Sequence, residues 1–157
     1  MKIIGHSSQR DSLRRLFLAG KLPSSMIFSG VAGIGKLLVA KELVNSMLCE
    51  NGAREPRNYS GGCGECRSCH LLATGNFPDL HLVQCLDRDT WSVASIRELL
   101  YALNLRAFGG SYRIVIFNDA ENLSLQASNA LLKTLEEPGS RTHFILVTAN
   151  HSRLPQT

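Results

Sequence analysis

Gly30-Val31-Ala32-Gly33-Ile34-Gly35-Lys36 fits the spacing G-x-x-x-x-G-K. In that pattern the backbone N–H groups of a glycine-rich turn and of the helix behind it cradle phosphates, and the lysine reaches the β and γ oxygens. Gly30, Gly33 and Gly35 are the expected turn residues and Lys36 the expected phosphate contact. The position after the lysine should carry a Ser or Thr hydroxyl for Mg²⁺, and it holds Leu37. An alkyl side chain offers a metal nothing, so the cradle is present without its magnesium anchor. The alternative is a glycine-rich turn with one lysine in solvent.

A second group lies further along. In phosphate-loop nucleoside triphosphatases the strand opposite the loop ends in an Asp that holds Mg²⁺, often followed by a Glu that orients water. Here the run Arg113-Ile114-Val115-Ile116-Phe117 is followed by Asn118-Asp119-Ala120. With Asn118 at the metal position a neutral amide replaces a carboxylate, and Asp119 then stands where the Glu would be. A hard cation wants charged oxygen ligands, so both anchors are weakened together. In the alternative register Asp119 is itself the metal ligand.

The third group is thiol chemistry. Cys63-Gly64-Glu65-Cys66-Arg67-Ser68-Cys69 is a C-x-x-C-x-x-C knuckle, and Cys49 precedes it with thirteen residues between. Cys49, Cys63, Cys66 and Cys69 suit a closed tetrahedral zinc site, with His70 as the alternative fourth ligand and an iron–sulfur cluster as the alternative occupant. Cys85 is left over and reads as an ordinary buried thiol.

The elements that must position these residues alternate. Met26-Ile27-Phe28 reads as a strand before the loop and Leu37 to Leu48 as the helix after it. Asp11 to Ala19 reads as a helix ended by Gly20, Leu80-His81-Leu82-Val83 as the second strand, and Arg113 to Phe117 as the third. Ser95-Ile96-Arg97-Glu98 has capping-box form ahead of Leu99, Leu100 and Leu103, with Ser92 as an earlier possible start. Leu125 to Glu137 reads as a helix stopped by Pro138, and Phe144 to Thr148 as the fourth strand. Alternating strands and helices predict an α/β fold, a parallel sheet flanked by helices, with ligands at the carboxyl ends of the strands. Glu50 to Gly62 is polar and rich in glycine and arginine, an excursion that a metal would pin.

The chain has 157 residues, 44% of them hydrophobic, enough for one core. The expectation is one domain over 1–157 with a metal-binding insertion at about 49–70. No stretch has the length of a membrane span and the N-terminus has no apolar signal core, so the chain is expected in the cytoplasm, with no membrane partner. A net charge of +4 permits nucleic-acid contact without demanding it. Arg10, Arg14, Arg15 and Lys21 read either as a solvated helix face or as a phosphate-facing one.

Ser128-Asn129-Ala130-Leu131-Leu132-Lys133-Thr134-Leu135-Glu136-Glu137-Pro138 resembles the ALLKTLEEP signature of bacterial clamp-loader subunits of DNA polymerase III. The cysteine insertion after the loop helix is also similar to theirs, and the resemblance covers essentially the whole chain. It implies an AAA+ core domain in a five-subunit complex that opens the sliding clamp and places it on primed DNA. Within the family, Leu37, Asn118-Asp119-Ala120 and the stretch from Phe77-Pro78-Asp79-Leu80 to Ser92–Glu98 are closer to the delta prime stator branch than to the gamma/tau motor branch. The gamma/tau pattern has Gly-Lys-Thr and Asp-Glu at the first two. The stator reading implies gamma/tau and delta as partners, a structural zinc, ATP bound weakly or not at all, and no turnover of its own. An active gamma/tau-type ATPase and a small-substrate phosphotransferase are the alternatives. The resemblance further implies an arginine finger beyond Leu154-Pro155, so Arg153 is not that finger, and a sensor position near Thr148 and Asn150. With the family's lid and collar domains absent, an N-terminal fragment that is monomeric by itself is expected.

Overall fold

A computed structural model describes residues 3–51, 61–84, 93–104 and 112–154. Cys85 and Ser92 lie outside them. The chain divides into two compact units, Met1–Pro23 with Gly35–Pro78, and Ser24–Ile34 with Asp79–Thr157.

The first unit is helical. Helix α1 (Ser7–Leu18) begins four residues before the predicted Asp11. No side chain caps it, and His6 enters it in the left-handed conformation, so the usual start signal is missing. Its end follows the expectation. Gly20 adopts φ 64 and its N–H bonds to Phe17 O, while the Lys21 N–H bonds to Leu16 O, the paired bonds of a Schellman cap. Arg10 leaves the basic face of α1 and forks onto the buried carboxylate of Glu42 in helix α2 (Lys36–Leu48), Nε to Oε2 at 2.6 Å. Arg14, Arg15 and Lys21 remain exposed. Helix α3 (Arg67–Ala73) was not expected from the sequence.

The second unit holds the sheet. Strands β1 (Ser25–Ser29), β2 (Leu80–Val83), β3 (Arg113–Asn118) and β4 (Thr142–Thr148) run parallel in the order β1-β4-β3-β2. Interior strands of a parallel sheet read as continuous apolar runs because neither face meets water, and all seven residues of β4 are buried. The register Val115↔Phe144 and Phe117↔Leu146 puts those four side chains on one face, where they pack with Val83 and with Ile96, Ala127 and Leu131 of helices α4 (Val93–Asn104) and α5 (Leu125–Glu136). Helix α4 is under way at Val93, so Ser95 sits inside its first turn and does not cap it. Ser124 caps α5 by accepting the Ala127 N–H. Among the described residues no helix is long and apolar enough to cross a membrane.

At the amino ends of the strands a charged residue is buried. Arg113 opens β3 at 8% exposure, donates to the Leu103 carbonyl near the end of α4, and lies 3.8 Å from the buried Asp79 carboxylate. Burial, and then the charge of Arg113, hold the neighbouring His81 imidazole below its usual pKa. Removing one member of a buried pair leaves the other uncompensated, so Arg113→Met is expected to cost about 3 kcal/mol in denaturant unfolding, with part of the loss recovered when Asp79→Asn is added. His81 binds its proton more weakly folded than unfolded. Stability is therefore expected to fall as pH drops below about 6.5, and His81→Gln should flatten that part of the pH profile.

Candidate functional site: a phosphate-loop scaffold and a four-cysteine cluster

The strand–loop–helix order expected around the glycines is present. Strand β1 ends at Ser29, the Gly30 N–H bonds to Thr148 O at 3.3 Å, and α2 begins at Lys36. Gly33 (φ 77) and Gly35 (φ 94) occupy backbone conformations that L-residues resist, which is why glycine recurs at this spacing. Gly35 is the N-cap of α2, whose first turn carries no acidic side chain. Lys36 and Leu37 are half-buried. Gly30 and Gly33 belong to the sheet unit and Gly35, Lys36 and Leu37 to the helical one.

The end of β3 is resolved in register. Asn118 is the last strand residue, level with Val147 of β4 and through it with Phe28 of β1. Asp119 does not extend the strand. It turns into the left-handed region (φ 56), caps a short 3-10 turn over Ala120–Asn122, and is exposed. The two side chains are brought together, Asn118 Nδ2 donating to Asp119 Oδ2 at 2.8 Å. A carboxylate engaged by its neighbour's amide already has one of its lone pairs occupied.

Nearby residues that sequence reasoning passed over tie the same ends together. Glu121 Oε1 accepts the Ala149 N–H at 3.0 Å, and Ser29 Oγ lies 3.5 Å from His151 Nδ1. Thr148 is fully buried and its hydroxyl accepts the Asn150 N–H, whereas Asn150 is exposed. An acid two residues beyond Asp119 was the available sign for Glu121.

In the helical unit the four cysteines converge. The sulfurs of Cys49, Cys63, Cys66 and Cys69 all lie within 4.8 Å of one another. The spacings Cys49–Cys66 at 4.0 Å and Cys63–Cys69 at 3.9 Å can be set against geometry. A tetrahedron with metal–sulfur bonds near 2.3 Å has edges of about 3.8 Å. His70 is exposed and not among the four, so Cys49 and not His70 completes the group. Each turn of the knuckle points an amide at sulfur. The N–H groups of Cys63, Cys66 and Cys69 donate to Cys49, Cys63 and Cys66 respectively, each at 3.4 Å. Cys66 thereby serves as N-cap of α3, the role Ser or Asp usually takes.

The electrostatics inside the cluster are divided. The backbone N–H groups of Glu65 and Cys66 hold the Cys63 thiol down at about 6, while burial pushes Cys69 up to about 12. Four sulfurs this close do not ionise together without a cation between them, and a divalent ion with soft-ligand affinity satisfies all four. The chain can therefore hold a metal here.

Residues 5–157 match the family described as DNA polymerase III, delta subunit. The chain belongs to this family. It is 34% identical over 157 residues to DNA polymerase III subunit delta' of Bacillus subtilis, covering 100% of this chain and 43% of that protein. It is 33% identical over 155 residues to DNA polymerase III subunit tau/gamma of Haemophilus influenzae, covering 99% of this chain and 22% of that one. The fold is shared with a DNA polymerase III gamma subunit-related protein from Thermotoga maritima, at a TM-score of 0.62 and 21% identity over 94% of this chain and 41% of that one. The chain thus spans less than half the length of these relatives.

One glycine of the cysteine module has no substitute. Gly62 adopts φ 91, and a Cβ there would fall 2.9 Å from Cys69 Sγ and 3.2 Å from Asn45 O. Gly62→Ala is expected to displace Cys69 from the group, so that purified protein retains less than about half an equivalent of metal by elemental analysis, against about one for the parent.

Proposed function

We propose that the chain is the AAA+ core of a stator-type clamp-loader subunit of DNA polymerase III, working in DNA replication inside a complex and not as an enzyme by itself. The reading rests on the family and on one observation, the end of β3. Asn118 is the last strand residue and Asp119 turns away from the strand line. In this reading Asn118, an amide, stands where a working magnesium site has its Asp, and Leu37 replaces the hydroxyl that would complete the chelate. On the sequence pattern, Gly30, Gly33, Gly35 and Lys36 are assigned to phosphate binding, and with Leu37, Asn118 and Asp119 to a degenerate nucleotide site. ATP bound there would be held through amides and the lysine, without a well-anchored Mg²⁺ to polarise it.

The four-cysteine module over about 49–70 is assigned a structural zinc, because four thiolates in tetrahedral array leave no open position for substrate. When bound, the metal supplies a cross-link between the end of α2 and the knuckle. The chain's own residues do the rest: α2 delivers Cys49, the knuckle amides neutralise sulfur charge, and Gly62 lets the segments meet. Partners are the gamma/tau and delta subunits, with the sliding clamp and primed DNA reached through the complex in the cytoplasm, and a motor role remains the second reading because identity to tau/gamma relatives is comparable.

The discriminating measurement is the magnesium dependence of nucleotide binding. ATP titrations of the purified chain with and without Mg²⁺ are expected to give the same affinity within about twofold, with no magnesium-stimulated phosphate release. Leu37→Thr combined with Asn118→Asp should introduce a magnesium dependence of roughly tenfold or more. Tight magnesium-dependent binding or turnover by the parent chain would favour the motor. Elemental analysis of protein kept reduced and never chelated is expected to return about one equivalent of zinc, and iron in its place would replace the zinc assignment with a cluster.

A further inference from the structure

Three consecutive residues reach from the end of α2 onto the knuckle. Cys49 brings its sulfur, Glu50 accepts both the Ser68 N–H at 3.1 Å and the Ser68 hydroxyl at 2.8 Å, and Asn51 places its Nδ2 3.6 Å from Cys63 Sγ. The Glu50 clamp fixes the backbone on which Asn51 stands, so the amide is delivered to the sulfur from a segment anchored on both preceding residues. Beside a thiolate a side-chain amide has one attractive orientation, N–H toward sulfur, because its carbonyl oxygen would be repelled. Cys63 already takes the Cys66 N–H at 3.4 Å, and Asn51 adds a side-chain donor to it.

We propose that Asn51 is a positioning residue of the metal centre, its side-chain amide donating to the Cys63 thiolate, drawing electron density from that sulfur and slowing metal loss. The inference rests on the metal reading above. Four thiolates around a divalent ion carry a net charge of −2, and every N–H aimed at sulfur spreads part of it. Outer-shell donors of this kind change metal affinity by roughly 10–100-fold when removed. Asn51 is exposed, so replacing it leaves no cavity and no buried polar group behind.

Cobalt(II) is the probe, since its sulfur-to-metal charge-transfer band reports the electron density on the ligands. Wild type and Asn51→Leu are loaded with one equivalent of cobalt, and zinc-loaded samples are challenged with a chromophoric chelator. The expected result is equal stoichiometry, a charge-transfer band shifted to longer wavelength in Asn51→Leu, and zinc release faster by about tenfold. Asn51→Asp, which sets a carboxylate against the sulfur, should exceed Asn51→Leu in both. Faster release with an unmoved band is loosened structure only and overturns the proposal, as does an unchanged band with unchanged release. Should Asn51→Leu fail to fold, the wild-type protein loaded with cadmium-113 decides: scalar coupling from the metal to the Asn51 side-chain amide proton supports the bond and its absence overturns it. A wild-type chain that takes up neither cobalt nor cadmium removes the metal reading itself, which none of the variant outcomes does.

Discussion

Strand β4 is the constraint on which the sheet unit depends. It is parallel to both neighbours, so its backbone groups are paired on either side and no connection can be a tight hairpin. Each return to the sheet must cross by a longer path, and α4 and α5 are among those paths. A strand in that position must be apolar on both faces, which Thr142 to Thr148 meets with His143 and two threonines the only polar side chains, all buried. The same arrangement gathers Ser29, Thr148 and Asn118 at one edge of the sheet, because parallel strands share a carboxyl end.

What that edge can do is then decided by a few atoms. A magnesium site built on this plan needs a carboxylate that continues the line of β3 and a hydroxyl on the first turn of α2. The chain carries Asn118, an amide, at the end of β3 and Leu37, an isobutyl group, after Lys36, and Asp119 turns off the strand and is engaged by Asn118. The phosphate-shaping features persist because they are backbone conformations. Glycines at positive φ keep the turn in shape whether or not a metal is gripped.

Much of this was legible in the sequence, for local reasons. The four strands, the loop helix and the Gly20 cap follow from apolar runs, glycine spacing and chain reversal signals that act within a few residues. The cysteine set was legible because a metal site restricts spacing. The start of α1 was not, since His6 takes a left-handed turn with no capping side chain, and α3 was not, since a cysteine sulfur caps it. The burial of Arg113 and the engagement of Arg10 with Glu42 were also hidden. Their partners lie 34 and 32 residues away, Asp79 before Arg113 and Glu42 after Arg10, and a charged residue in a sequence does not reveal whether it meets water or a carboxylate.

The cysteine module follows a different logic from the sheet. A segment as polar as this one cannot order itself by burying apolar surface, so its shape has to come from directed bonds. Those bonds are consistent with one another: the glycines let the backbone turn toward sulfur, the turned backbone aims its amides at the sulfurs, and Glu50 and Ser46 hold the two flanks through Ser68 and Gly61. None of these contacts is strong alone. Together they set four sulfurs at tetrahedral spacing. The same geometry divides the thiols: burial pushes Cys69 up, and backbone amides hold Cys63 down.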